Sequence, residues 1–205
     1  MALNFANNNS LSAITTKPSG LSGGALNLIS TQTASSSSTI SFTSGIDDTY
    51  DSYVFKFYDI HPSAASKLSF QGNAAGGSGY NETMTTTCFT AYHNEAGTDT
   101  LLGYTASQDQ AQGTAFELLS DTIVDSGTTV ANDNSASGYL QLFNPSSTVF
   151  VKHFISKVNH VNGGPYCLTS HHAGYFNTTS AIDEIQFKMS SGNIDSGVIK
   201  LYGIS

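Results

Sequence analysis

Apolar and polar residues alternate along most of this 205-residue chain, and a period of two predicts an all-β protein. The composition agrees with this prediction. Charged residues make up only 11% of the chain and aromatic residues another 11%, so the polarity comes mainly from Ser, Thr, Asn and Gly, which suit strand faces and tight turns. We predict a jelly-roll-like β-sandwich of eight to ten strands with an extended N-terminal arm. An immunoglobulin-like sandwich is the alternative, although the chain has no Trp to pack between paired cysteines.

The first part of the chain, residues 1–38, differs in composition from the rest and is predicted to form the arm, with the sandwich over residues 39–205. The arm is rich in Asn, Gly and Ser and ends in four consecutive serines, 35–38. Apolar residues recur within it at intervals, which a flexible linker lacks. We expect them to dock either on their own domain or on a neighbouring protein. These candidate partner-binding residues are Leu3, Phe5, Leu11, Ile14, Leu26, Leu28 and Ile29.

The individual strands are predicted from alternation and from the turn residues between them. Pro62 and Pro145 each end a strand because proline donates no hydrogen bond to a sheet, and the glycine-rich segment 72–79 forms a loop. The segment 98–135 is less regular, with 115–120 as either a strand or a short helix. The predicted strands are 40–43, 50–60, 67–71, 84–92, 138–144, 148–159, 166–176, 182–189 and 194–205, the last two joined as a hairpin by the turn 190–193.

The charges of the chain argue against one class of function. All seven basic residues are lysines, and the formal net charge is −8. Nucleic-acid-binding proteins need clustered cations to displace counterions from phosphates, and the sequence has no such cluster. We therefore predict no nucleic-acid partner. We also predict no membrane partner, because no apolar run approaches the roughly 20 residues that cross a bilayer.

Two groups of side chains are of the types that bind metal ions, but their spacing in the sequence does not match a known metal-binding pattern. Asp47, Asp48 and Asp51 cluster in one turn, but they do not follow the pattern of an EF-hand loop, and turn formation accounts for them equally well. His171 and His172 are adjacent, so in a strand they face opposite sides and cannot share one metal ion. We therefore predict no metal site.

No pattern of catalytic residues is present either. The chain lacks a nucleophile-elbow motif, a phosphate-binding loop and a dinucleotide-binding fingerprint. Cys88 and Cys167 lie in strand-like runs without a Cys-x-x-Cys spacing, and we expect two buried free thiols. We predict a protein that is not an enzyme and has no catalytic residues and no cofactor. The carboxylates from which a glycosidase would draw its pair are Glu82, Glu95, Glu117 and Glu184.

Two segments resemble a known family. Residues 40–57 contain the run Gly45-Ile-Asp-Asp-Thr-Tyr-Asp51, and residues 185–204 contain a second Ile-Asp pair at Ile194. Together with 59–62, these segments resemble virion structural proteins of tailed bacteriophages, especially marine ones. Members of this family are labelled as tail-fibre, head-fibre or general structural proteins. The resemblance implies a β-sandwich on a virus particle and no catalytic residues.

From the composition, the arm and the resemblance, we expect a virion structural protein. The leading hypothesis is a capsid decoration or cement protein that binds the particle through its N-terminal arm and through self-association as a homotrimer, with another virion protein such as the major capsid protein as its partner. A tail-fibre tip or adhesin that binds a host-surface glycan is the alternative, and a carbohydrate-processing enzyme is the third hypothesis. The N-terminus lacks the features of a signal peptide, so we expect synthesis in the host cytoplasm and localisation in the virion.

Overall fold

The computed structural model describes residues 25–123, 134–162, 164 and 166–204. Within these residues it contains twelve β-strands and one short 3₁₀ helix, Ala106–Gln108. The first six strands are β1 (Leu26–Ser37), β2 (Ile40–Phe42), β3 (Ser52–Pro62), β4 (Leu68–Ala74), β5 (Met84–Asn94) and β6 (Thr100–Tyr104). The other six are β7 (Glu117–Leu118), β8 (Ala136–Phe143), β9 (Lys152–Val161), β10 (Tyr166–Phe176), β11 (Ile182–Met189) and β12 (Ile194–Ile204).

The strands form two antiparallel sheets that pack as a sandwich. The large sheet has the order β1-β12-β3-β8-β9-β10-β5-β6, and the small sheet has the order β2-β11-β4-β7. The predicted all-β sandwich is therefore confirmed. Its physical basis is that each sheet has one apolar face, which must be covered by the other sheet.

The strand pairs are nested in a way that defines the topology. Strand β1 pairs with β12, β2 with β11, β3 with β8, and β4 with β7, and these four pairs alternate between the large and the small sheet. Eight strands wound in this manner form a jelly roll, which agrees with the leading architecture rather than with the immunoglobulin-like alternative. Two insertions, β5–β6 and β9–β10, pair with each other and extend the large sheet.

The predicted hairpin between the last two strands is wrong. Strand β11 lies between β2 and β4 in the small sheet, whereas β12 lies between β1 and β3 in the large one. The turn 190–193 carries the chain across the core from one sheet to the other. Backbone hydrogen bonds fix it to the β3–β4 connection, which crosses at the same end: Ser190 N donates to Lys67 O, and Ser63 N donates to Asn193 O.

The predicted boundary between arm and domain at residue 38 does not coincide with a structural boundary. Residues 26–37 form β1, which pairs with β12 along its length and is the edge strand of the large sheet. Ile29 packs against the core, whereas Leu26 and Leu28 are exposed. The other four candidate residues of the arm, Leu3, Phe5, Leu11 and Ile14, lie outside the described residues.

A cluster of phenylalanines occupies the space between the two sheets. Tyr53, Phe55 and Phe57 of β3 all face inward, as their alternation predicts. The ring of Phe187 on β11 meets those of Phe55 and Phe57 edge to face, with centroids 5.3 and 5.2 Å apart. Such edge-to-face pairs are favourable beyond the apolar area that they bury. These contacts join the small sheet to the centre of the large one.

Candidate functional site

The strands that extend the large sheet bury a polar inner face. The segment between β6 and β8, which contains the 3₁₀ helix and β7, is attached to β5 by backbone hydrogen bonds from Met84 N to Gly113 O and from Thr86 N to Gln110 O. Buried polar groups usually have hydrogen-bond partners, so this region is where a network is expected. Its buried polar side chains include Thr86, Thr90, Gln108, Glu117, Ser156, His160, Ser170 and His172.

Cys88, Glu117 and His172 form a chain of contacts within this face. The Nε2 atom of His172 lies 3.5 Å from the sulfur of Cys88, and its Nδ1 atom lies 3.3 Å from a carboxylate oxygen of Glu117. The side-chain amide of Gln110 donates to the other carboxylate oxygen of Glu117 at 2.9 Å. The three residues come from β5, β7 and β10, and the two contacts join positions 84 and 55 residues apart in the sequence. Sequence analysis did not identify the group because no local pattern links these positions.

The order of thiol, imidazole and carboxylate is the one that activates cysteine nucleophiles. Here all three side chains are at most 1% exposed, so the sulfur is closed to a substrate in the described structure. Burial raises the pKa of the Cys88 thiol to about 11, which keeps it protonated at neutral pH. The arrangement supports a structural role, in which the three groups satisfy one another inside the sandwich.

The two cysteines differ in exposure, which leads to a testable difference in reactivity. Both are free, as expected, but Cys88 is buried and Cys167 is exposed on β10, so the prediction that both are buried is wrong for Cys167. We expect an aromatic disulfide reagent to modify one thiol per native chain and two per unfolded chain. In the Cys167→Ser variant we expect no modification until the chain unfolds. Rapid modification of the native variant would show that Cys88 is accessible.

His160 on β9 lies on the same buried face, and its ring differs from that of His172 in its hydrogen bonding. Among the described residues, neither Nδ1 nor Nε2 has a hydrogen-bond partner. Burial lowers the pKa of His160 to about 4, although the nearby Asp121 opposes this shift. The unfolded chain therefore binds a proton near pH 6.5 that the folded chain does not bind until about pH 4. The contribution of neutral His160 to the stability of the fold is therefore fully present above pH 6.5. This contribution is lost as the pH falls from 6.5 to about 4.

We expect the free energy of unfolding to fall by about 3 kcal/mol between pH 7 and pH 4 because of His160, since each pKa unit is worth about 1.4 kcal/mol. Urea unfolding at pH 7.0 and 4.0 measures the difference. The His160→Gln variant removes the titrating group and should lose most of this dependence. The wild-type comparison also contains a smaller contribution of the same sign from His171, whose pKa is lowered by burial. Equal pH dependence in the wild type and the variant would contradict the assignment.

Hydrogen bonds hold the acidic turn, and the paired histidines face opposite sides of their strand. A carboxylate oxygen of Asp47 accepts hydrogen bonds from the backbone N–H of Thr49 and from the hydroxyl of Tyr53, both at 2.9 Å, and the bonds to Thr49 lower the pKa of Asp47. His171 and His172 face opposite sides of β10. Among the described residues, no group of three or more His, Cys, Asp or Glu side chains is placed to hold a metal ion.

Two of the candidate glycosidase carboxylates instead hold the end of β4, where the glycine-rich segment begins. Glu82 accepts a hydrogen bond from the backbone N–H of Ala74 at 3.0 Å, and Glu184 accepts one from the side-chain amide of Asn73 at 3.1 Å. Glu95 is exposed in the turn after β5. These positions give the glycosidase hypothesis no support, and it stays a prediction.

The outer face of the large sheet has a different character. One row of directly paired residues crosses all eight strands in the order Thr31, Lys200, Lys56, Tyr139, Lys157, His171, Phe89 and Tyr104. Side chains paired in this way lie about 5 Å apart on the same face. The row therefore places three lysines among four aromatic rings, and we call it the lysine row.

A depression that we call the outer-face groove adjoins this row on β9, β10 and β5. Two cavities of about 390 and 140 Å³ share Ala173 and together extend along β10. Phe89 and His171 stack at one end, with ring centroids 4.6 Å apart and planes at 5°. His153 and Tyr175 stand at the other end, with centroids 5.9 Å apart. The side chains that line the groove on the outer face include Thr87, Phe89, His153, Ile155, His171 and Tyr175.

Comparison of the chain with protein-family models, with curated proteins and with solved structures finds no match. The family resemblance of segments 40–57 and 185–204 therefore stays a prediction. Over the part of the chain that the structure describes, no helix is long and apolar enough to cross a membrane.

Proposed function

We propose that this chain is a non-enzymatic structural subunit of a virion, most specifically a capsid decoration protein that attaches through its N-terminal segment and the adjoining edge strand. The partners in this proposal are further copies of the chain, as a trimer, and another virion protein such as the major capsid protein. The observation that carries it is the position of β1, because this strand joins the predicted anchoring residues directly to an edge of the jelly roll.

Strand β1 has the features of an attachment edge. It ends the large sheet, and no other described strand pairs with its outer side. An edge strand offers backbone groups for pairing with a further chain, and proteins usually protect such edges. The side chain of Leu28 is 56% exposed at this edge, and that of Leu26 is 41% exposed. An exposed strand edge with apolar side chains is suited to docking on a partner surface.

Co-sedimentation with capsids that lack the chain tests the proposal. We expect the full chain to sediment with the capsids and a variant without residues 1–24 to remain in solution. Leu28→Ser should weaken binding, whereas Leu102→Ser provides a matched control. Leu102 is 73% exposed on β6, at the opposite edge of the same sheet and about 34 Å away at the usual strand spacing. Retained binding without residues 1–24 would contradict attachment through the N-terminal segment.

The adhesin is a second candidate function, and the outer-face groove favours it. Ligand sites are typically concave and apolar with a few polar groups, and the groove combines aromatic rings with the hydroxyl of Thr87 and the imidazoles of His153 and His171. In the large sheet, β10 and β5, which carry part of the groove, lie five and six strands away from β1. Attachment at one end of the sheet and recognition at the other are therefore compatible in one subunit.

A further inference from the structure

We propose that the outer-face groove and the lysine row bind an acidic polysaccharide. This inference rests on the second candidate function, the adhesin, and names its ligand class; attachment through β1 is not required for it. Three observations carry the inference. The groove has aromatic walls, the lysine row continues from it across the sheet, and two lysines of that row stand directly opposite each other.

The shape and lining of the groove suit sugar rings. Its floor at Ala173 is low because the side chain is small, and the rings of Phe89 and Tyr175 rise at its two ends. Phe89 stacks flat against His171, and this contact favours one orientation of the ring before a ligand binds. The C–H faces of a sugar pack on aromatic rings, while its hydroxyls need donors and acceptors such as Thr87 and His153. The groove therefore provides both kinds of contact.

The lysine row extends the surface beyond the groove. Lys157 on β9 is paired with His171, which lines the groove, and with Tyr139 on β8. Beyond Tyr139 the row reaches Lys56 and then Lys200. From β5 to β12 the row crosses five strand spacings, or about 24 Å. A surface of this length suits an extended polymer rather than a single sugar.

Lys56 and Lys200 place two like charges on neighbouring strands of the outer face. The two residues are direct partners on β3 and β12, and like charges in this position destabilise a sheet. Each ammonium group is instead directed over a tyrosine ring: Lys56 Nζ lies 5.5 Å from the ring centroid of Tyr202, and Lys200 Nζ lies 5.4 Å from that of Tyr58. The two ammonium groups are thus directed over rings on opposite sides of the pair, where each can meet a separate anionic group of one polymer.

The distribution of charge also favours an anionic ligand. The chain has a net charge of −8, yet the strands β8, β9, β10, β5 and β6 contain no Asp or Glu. Three of the six lysines in the described residues lie in the lysine row. In β3 and β12, the acidic residues nearest to the lysine row are Asp59 and Asp195, which lie towards one end of these strands. At the opposite edge of the sheet, Asp109 accepts a hydrogen bond from Tyr104. The outer face is thus locally basic on an acidic protein.

Nucleic acid and a second copy of the chain are the competing occupants. Three lysines without arginine neutralise few phosphates, so nucleic acid would bind weakly. A second copy would need about 800 Å² of buried surface per partner to form a standard interface. The groove and the single row of lysines match a narrow anionic chain better than a broad protein surface.

Isothermal titration calorimetry with the full chain tests the inference at low ionic strength. The acidic probes are a polyguluronate hexamer and a chondroitin sulfate hexamer, and the neutral probe is maltohexaose. We expect at least one acidic probe to bind and the neutral probe to bind at least tenfold more weakly. Phe89→Ala should lower the affinity for the acidic probe about tenfold, because it removes the stacking surface. Lys157→Gln and Lys56→Gln should each lower the affinity for the acidic probe by up to about fivefold. Each should also make this affinity less dependent on salt concentration.

Lys188→Gln is the matched control, because this lysine lies on the outer side of the small sheet over Phe116 and should leave binding unchanged. Urea unfolding confirms that each variant is folded, and Phe89 is sufficiently exposed for its substitution to be tolerated. Failure of both acidic probes to bind the full chain would overturn the inference. It would also be overturned by equal binding of maltohexaose, or by binding that is unaffected in the Phe89 and Lys157 variants. If light scattering shows that Phe89→Ala dissociates an oligomer while neither probe binds, the occupant is a second copy.

These outcomes are separate from those of the attachment test. Removal of residues 1–24 should abolish capsid binding without affecting the calorimetric titration, because the groove lies at the far end of the large sheet. Failure of capsid attachment would leave the polysaccharide result standing, and failure of polysaccharide binding would leave the decoration proposal standing.

Discussion

Removal of residues 1–37 is expected to abolish cooperative folding of the sandwich, whereas removal of residues 1–24 should leave its unfolding transition unchanged. The longer deletion removes β1, which exposes the backbone of β12 as a new sheet edge. It also removes Ile29 from the core, where Cγ2 packs so closely on Gly45 that an added Cβ would lie 2.7 Å away. Loss of the buried apolar surface of Ile29 and Ala34 alone costs about 2 kcal/mol.

Circular dichroism during urea titration of both truncations measures this difference. The shorter deletion controls for general effects of truncation, since it preserves β1. An unchanged midpoint after removal of residues 1–37 would show that β1 is a detachable part of the arm, as the predicted boundary at residue 38 implied. A lowered midpoint after removal of residues 1–24 would show that this segment stabilises the sandwich itself.

Phe187→Ala is expected to lower the free energy of unfolding by about 3–5 kcal/mol, which is the usual range for removing a buried phenylalanine. The Phe187 ring contacts Phe55 and Phe57 across the sheets and also lies near Phe42 and Phe70. Its removal leaves a cavity between the two sheets, and the surrounding aromatic rings lose packing partners. The loss would be a large part of the stability of an ordinary domain.

Phe89→Ala is the matched control for this substitution. Phe89 is 44% exposed on the outer face, so the same chemical change should cost about 1 kcal/mol or less. Chemical denaturation of both variants gives the two values under identical conditions. A cost for Phe187→Ala no greater than that for Phe89→Ala would contradict its central position in the core.

The sequence predicts which residues face inward because alternation is a local property. The inward face of β3, with Tyr53, Phe55 and Phe57, follows directly from a period of two. Which strands pair is not local. The turn 190–193 has the composition of a hairpin turn, and only the nested pairing of β11 with β2 and of β12 with β1 shows that the chain changes sheets there. Residues 26–37 are predicted to belong to the arm because they combine small polar side chains with a few spaced apolar ones, a composition that an edge strand can also have.

The functional surfaces were harder to predict for the same reason. Cys88, Glu117 and His172 approach one another through the pairing of β5 with β10 and the packing of the segment that contains β7. The lysine row also depends on the register of eight strands, which no single segment determines. One local signal was present, since alternation in β5 and β9 predicts that Phe89 and Ile155 face away from the buried side. Exposed large apolar residues at such positions indicate an interaction surface.

Cryo-electron microscopy of virus particles that carry the chain tests the central claim most directly, because it determines both location and orientation. We expect density for the jelly roll on the outer surface of the capsid, with β1 towards the shell and the outer-face groove of β9, β10 and β5 accessible to solvent. Absence of the chain from purified particles would contradict a virion role. Density confined to the tail tip, or a capsid contact made by β6 instead of β1, would contradict attachment as a decoration protein through the N-terminal edge.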